Sequence, residues 1–84
     1  MGISSSFALI AFMEDVRAIL ARNIKSARKR LNISQEELAS RTQIDRTYVS
    51  GIERQVRNPT ITVVAKFAEA LNTTTADLLC NNGE

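Results

Sequence analysis

Six residues in and beside two short segments, Gln35, Arg46, Thr47, Tyr48, Ser50 and Arg54, carry the side chains with the most recognisable chemistry. An arginine fork donates two parallel N–H groups that match guanine O6 and N7 or a phosphate. Threonine offers a hydroxyl and a methyl, and glutamine and serine donate to phosphate oxygens or base edges. Catalysis has little to work with. There is no His and no Gly-rich phosphate loop, and the one nucleophile of note, Cys80, lies four residues from the chain end with no candidate base. One Cys without His also leaves no metal set and no internal disulfide framework. Cytoplasmic residence follows as the expectation, with Cys80 read as a small hydrophobe near the chain end.

The elements that must position these residues announce themselves by caps. Ser34 followed by Glu37 is a capping box: the hydroxyl accepts from the Glu37 amide while the carboxylate reaches back to the Ser34 amide, with Ile33 and Leu38 as the hydrophobic staple. Asp45 opens a second helix, its carboxylate meeting the orphan amides and the positive dipole end. Only about two helical turns fit between the two starts. Leu38 and Ala39 on the first helix, and Val49 and Ile52 on the second, recur at helical spacing, with Ile44 plugging the turn between them. Ala39 is small where two steeply crossing helices approach. Such a pair with a three- or four-residue turn is a helix-turn-helix.

Upstream, Val16, Leu20, Ile24, Ala27 and Leu31 form one buried stripe of a helix ending at Asn32, which suits the left-handed C′ position. Downstream, Arg57-Asn58-Pro59 reads as a loop. Thr60 then caps a fourth helix with the apolar face Ile61, Val64, Phe67, Ala68 and Leu71, ended by Asn72. Thr74 with Asp77 starts a last short helix through Leu78 and Leu79. The expected fold class is all-α with five helices.

The chain of 84 residues is 44% hydrophobic with no Trp, one Tyr and three Phe, so its core is mainly aliphatic. A domain of this size buries only about 60 to 65% of its unfolded surface, and a second subunit would help it. Net charge is +2, but unevenly placed. Residues 17–59 hold ten Lys or Arg against four acids, or +6, while residues 60–84 hold one Lys against three acids, or −2. A polyanion met by the middle of the chain explains that asymmetry better than a membrane surface does. No segment approaches the roughly 18 to 20 apolar residues that a bilayer requires.

Residues 1–12, MGISSSFALIAF, contain no charge. With no basic n-region and an apolar run of six residues from Phe7 to Phe12, a signal peptide is not expected. Two readings stand. In one, Leu9 and Met13 extend the apolar stripe of helix one backwards, toward the last helix or a partner subunit, which would cover Phe7, Leu9, Ile10 and Phe12. In the other, Met13 is the natural start and the first twelve residues do little.

Residues 22–79 as a whole, RNIKSARKRLNISQEELASRTQIDRTYVSGIERQVRNPTITVVAKFAEALNTTTADLL, resemble the five-helix DNA-binding domain of phage repressors and Cro, the xenobiotic-response-element family. The run DRTYVSGIERQVRNPT is especially similar to controller proteins of restriction–modification systems, small dimeric regulators of their own operon. The resemblance implies a compact repressor-like domain over 13–80, with helix-turn-helix helices two and three, an extension at 1–12 and a tail at 81–84. It implies Arg46, Thr47, Tyr48 and Ser50 as base contacts from helix three in the major groove. Backbone contacts would come from Ser34 and Gln35 at the start of helix two, and from Arg54, Arg57 and Asn58; Gln35 could instead orient helix three. An arginine near the end of helix one pairs with a glutamate ending helix three in this family, and the matching positions are Arg28 and Glu53. Where the family commonly has a turn Gly with positive φ, this chain has Gln43 or Thr42.

The function so implied is sequence-specific regulation from a pseudo-palindromic operator on double-stranded DNA. The protein would act as a homodimer joined through Leu78 and Leu79 of the last helix together with apolar residues of the loops or the N-terminal segment, with no cofactor and no small-molecule effector. The alternative is an antitoxin-like module whose uncharged N-terminal segment holds a partner protein, with autoregulatory DNA binding.

Overall fold

The computed structural model describes residues 2–81, with side chains from residue 16 onward. The side chains of Phe7, Leu9, Ile10, Phe12 and Met13, and residues 82–84 of the tail, lie outside the described residues. Five helices follow one another: α1 Gly2–Arg30, α2 Gln35–Thr42, α3 Arg46–Glu53, α4 Ile61–Ala70 and α5 Thr75–Leu78. Helix α1 runs unbroken through Met13, and at 1.5 Å per residue it is about 43 Å long. It therefore sets the longest dimension of the molecule, 47 Å.

The starts of α2, α3, α4 and α5 are made by the caps written into the sequence. The side chains of Ser34, Asp45, Thr60 and Thr74 accept from the amides of Glu37, Thr47, Val63 and Asp77. The capping boxes are half-formed, however. The Glu37 carboxylate turns to Arg41 at 3.1 Å instead of to the Ser34 amide, because an i,i+4 cation is within reach on the same face. Asp77 likewise accepts from the Thr73 hydroxyl at 3.3 Å.

The ends share one device. Asn32, Gln43, Gln55 and Asn72 all take φ between 57 and 66°. The residue after each donates its amide back to a carbonyl five positions earlier: Ile33 to Arg28, Ile44 to Ala39, Val56 to Gly51 and Thr73 to Ala68. That is the left-handed cap in which a following apolar residue folds onto the helix end. Ile33 and Ile44 do so and pack against the core. Val56 does not, and stays 60% exposed.

Gln43 has φ 59° and ψ 33°, so the strained turn residue is Gln43 and not Thr42. A non-glycine residue in this region costs roughly 1 kcal/mol, part of which a glycine would return through the greater freedom of its unfolded chain. Gln43→Gly is therefore expected to raise the unfolding free energy by about 0.5 kcal/mol in urea titration. A clear loss of stability would show that the turn is not strained at this residue.

Leu20, Ile24, Ala27, Leu38, Ala39, Val49, Ile52, Val64, Phe67, Ala68, Leu71 and Leu78 form one core to which all five helices contribute. Three expectations need correction. Val16 and Ile61, placed in buried stripes by their spacing, are 36% and 65% exposed, because each stands at the edge of its helix's inner face where no neighbouring element covers it. Leu78 is only 2% exposed and belongs to the core, so of the pair named for the dimer surface it is Leu79, half-buried on the core's margin, that reaches the exterior. Cys80 is an exposed free thiol and not a packed hydrophobe.

The position of α5 depends on Asn23, which is buried on α1 with 9% exposure. Its amide donates to the carbonyls of Leu78 at 2.8 Å and Cys80 at 2.9 Å, satisfying the orphan acceptors at the end of the last helix. Nothing in the local spacing around Asn23 signals that role. Among the described residues no helix is long and apolar enough to cross a membrane.

Candidate nucleic-acid interface

The eight-residue helix α3 buries Val49, Gly51, Ile52 and Glu53 and turns its other side outward. Arg46 and Thr47, in its first turn, are exposed, whereas Tyr48 and Ser50 are half-buried. Both exposed residues follow the Asp45 cap directly, so their backbone is already fixed while their side chains are free.

The far end of α3 is fixed by charge. Glu53, whose side chain is 2% exposed, accepts from Arg28 Nε at 2.9 Å and Arg28 Nη2 at 3.1 Å, a bidentate pair. The Gln35 amide donates to the same carboxylate at 2.9 Å. Arg28 reaches further, donating from Nη1 to the Ile33 carbonyl at 3.0 Å. One carboxylate thus ties the end of α1, the start of α2 and the end of α3 together. Among the described residues no buried side-chain polar atom lacks a partner.

Gln35, named above for either a phosphate or the orientation of α3, holds Glu53 and keeps one amide hydrogen free. The Ser34 hydroxyl accepts from the Glu37 amide at 3.0 Å and keeps its own O–H to donate, beside the uncapped N-terminal amides of α2. On the outer rim Arg54 Nε donates to Ser50 Oγ at 3.2 Å, so these two residues present a joined pair one turn apart. Arg57 places its guanidinium 5.6 Å from the centre of the Tyr48 ring. With its ring packed on the core on one side and capped by Arg57 on the other, Tyr48 has its hydroxyl edge left for a ligand. Asn58 is exposed on the following loop.

The structure therefore brings Gln35, Arg28 and Glu53 together as a brace, and Tyr48, Ser50, Arg54 and Arg57 into one rim beside the exposed pair Arg46 and Thr47. Gly51 was not singled out by the sequence. A mid-helix glycine in a capped, eight-residue helix was the available signal.

A short helix braced at both ends, with a basic and hydroxylated outer face, defines a DNA-binding module, and the chain belongs to the helix-turn-helix family, whose model matches residues 24–78. Particular relatives narrow the class. The chain is 43% identical over 74 residues to control protein C.SmaI of Serratia marcescens, covering 88% of this chain and 87% of that one. Among solved structures it resembles the hypothetical transcription factor NHTF from Neisseria, with a TM-score of 0.78 and 42% identity over 80% of this chain and 77% of that chain. It also resembles the restriction–modification controller protein C.AhdI from Aeromonas hydrophila, with a TM-score of 0.70 and 32% identity over 79% of this chain and 97% of that chain. The protein is a DNA-binding transcriptional regulator homologous to restriction–modification controller proteins.

Proposed function

We propose that this regulator acts as a homodimer on a pseudo-palindromic operator, as the controller of a restriction–modification operon. The observation that carries the reading is α3 itself: Arg46 and Thr47 exposed at its leading end, with the trailing end locked by Glu53. Helix three enters the major groove, Arg46, Thr47, Tyr48 and Ser50 meet base edges, and Arg54, Arg57, Asn58 and the start of α2 at Ser34 and Gln35 meet phosphates. The operon assignment is supported by the relatives that are named control proteins. Residues 13–80 would suffice for this work, with 1–12 an extension of α1.

The second copy docks on the loop between α3 and α4. Val56 within that loop and Ile61 just after it are 60% and 65% exposed, and apart from Arg57 no residue from Val56 to Ala65 carries a charge. Two chains that each bear +2 meet with little repulsion across such a sparsely charged stretch. The patch also adjoins the phosphate-gripping Arg54 and Arg57, so a two-fold axis through it sets both copies of α3 toward one face of the duplex, about 34 Å apart. Val56→Asp with Ile61→Asp is expected to convert the protein to monomer in sedimentation velocity while leaving its melting temperature within a few degrees. Unchanged sedimentation would place the interface elsewhere.

Selection of bound duplexes from a random library tests the function. A two-fold symmetric motif, bound less tightly as salt rises, is the expected product. Salt-sensitive binding without any enriched motif would reject a sequence-specific regulator.

A further inference from the structure

Gly51 lies inside α3, where a glycine forms helix less readily than alanine would. A close approach accounts for it. A Cβ added at Gly51 would stand 2.5 Å from Arg57 Cγ and 3.5 Å from both Arg57 Nε and Val56 Cγ2. The near part of the arginine stem, not its mobile tip, occupies that space. The chain is brought there by Gln55 at φ 66°, after which the amides of Val56 and Arg57 both donate to the Gly51 carbonyl, at 2.8 and 3.2 Å. From Gly51 the side chain runs to the Tyr48 ring, itself packed on the core. A long cationic side chain on an exposed loop is thereby restrained before any ligand arrives, which lowers the entropy that binding must remove.

We infer that Gly51 and Tyr48 form a seat that pre-orients the Arg57 guanidinium for one phosphate of the duplex, with Gly51 as a positioning residue that does not itself touch DNA. The inference rests on the DNA-binding reading above and adds how one backbone contact is built.

The test uses the full chain as wild type, Gly51→Ala, Arg57→Ala and the double variant, titrated against the duplex selected by wild type over a range of salt. Each single variant is expected to bind about tenfold more weakly. Arg57→Ala should also lose about 0.9 from the slope of log affinity against log salt, the share of one phosphate, whereas Gly51→Ala keeps the charge and should keep the slope. The double variant should be no worse than Arg57→Ala alone. Losses that simply add, or wild-type binding by Gly51→Ala, overturn the inference. Arg57→Lys leaves α3 untouched and keeps the charge without the flat stacking group, so it should retain the salt slope and lose several-fold in affinity; wild-type affinity in that variant also overturns it. Proton NMR of the free protein separates the seat from the DNA reading. The Arg57 side-chain protons should be shifted upfield by the Tyr48 ring in wild type and return to ordinary values in Gly51→Ala. Absence of the shift in wild type removes the seat whatever the DNA result. A shift without any duplex binding by wild type refutes the regulator reading and the phosphate role, and leaves only the seat.

Discussion

Glu53→Ala lowers the unfolding free energy by about 3 kcal/mol, a loss large enough to unfold much of a small domain's population near 37 °C. The substitution strands the Arg28 guanidinium, whose side chain is 14% exposed, and removes the acceptor of the Gln35 amide. Stranding one member of a buried pair typically costs about 3 to 5 kcal/mol, and the partial exposure of Arg28 sets the expectation at the lower end. For a domain of this size the melting temperature should fall by roughly 12 to 24 °C. Glu53→Gln keeps one acceptor and most of the shape, so it should fall between. Replacing both partners, Arg28→Met with Glu53→Leu, should lose less than the two single changes combined, because no uncompensated charge is left buried. Denaturant titration and calorimetry read these values. A loss below about 1 kcal/mol for Glu53→Ala would mean that the brace is not what holds α3 in place. DNA affinity should fall with stability, since the carboxylate links α1, α2 and α3.

Arg46→Ala weakens binding to the selected operator by about ten- to a hundredfold, the share of one bidentate arginine–base pair, and flattens the preference at the base it met. Binding to unrelated duplexes should change much less. Arg46 is exposed at the leading end of α3. Its removal should leave the melting temperature unchanged, which separates it from the Glu53 variants. Arg54→Ala is the informative contrast. Its guanidinium is already joined to Ser50 on the rim. It should weaken selected and unrelated duplexes alike and lower the salt slope by about 0.9. If duplex selection with Arg46→Ala returned the wild-type motif unchanged, Arg46 would not be a base reader, and specificity would pass to Thr47 and the Tyr48 hydroxyl.

Caps and periodicity are local, and they were legible in the sequence. Ser34, Asp45, Thr60 and Thr74 each accept from an amide two or three residues on, and Asn32 and Asn72 end helices in the left-handed region as their type suggests. An amide two or three positions along the chain is within reach whatever the rest of the molecule does. The core stripes of α2 and α3 were legible for the same reason, being one face of a helix. The Arg28–Glu53 pair came from family resemblance, since 25 residues separate its members and no local pattern joins them.

What only the tertiary structure decided lies across such distances. Leu78 and Val56 are both apolar residues at helix ends, yet one is core and the other exposed, because α5 is wedged between α1 and α4 while nothing folds over the loop after α3. Asn23 reads as an ordinary polar residue on a helix until the carbonyls of Leu78 and Cys80, 55 and 57 residues away, are set over it. Gln35 has two amide hydrogens, and the crossing of α2 over the end of α3 commits one of them to Glu53. Gly51 acquires its reason only from Arg57 lying across it. The sequence by itself determined where α2, α3, α4 and α5 begin and that a basic, hydroxylated helix follows a short turn. Which polar groups brace that helix, and which apolar groups remain for a partner, follow from how the helices cross, which no short stretch of chain encodes alone.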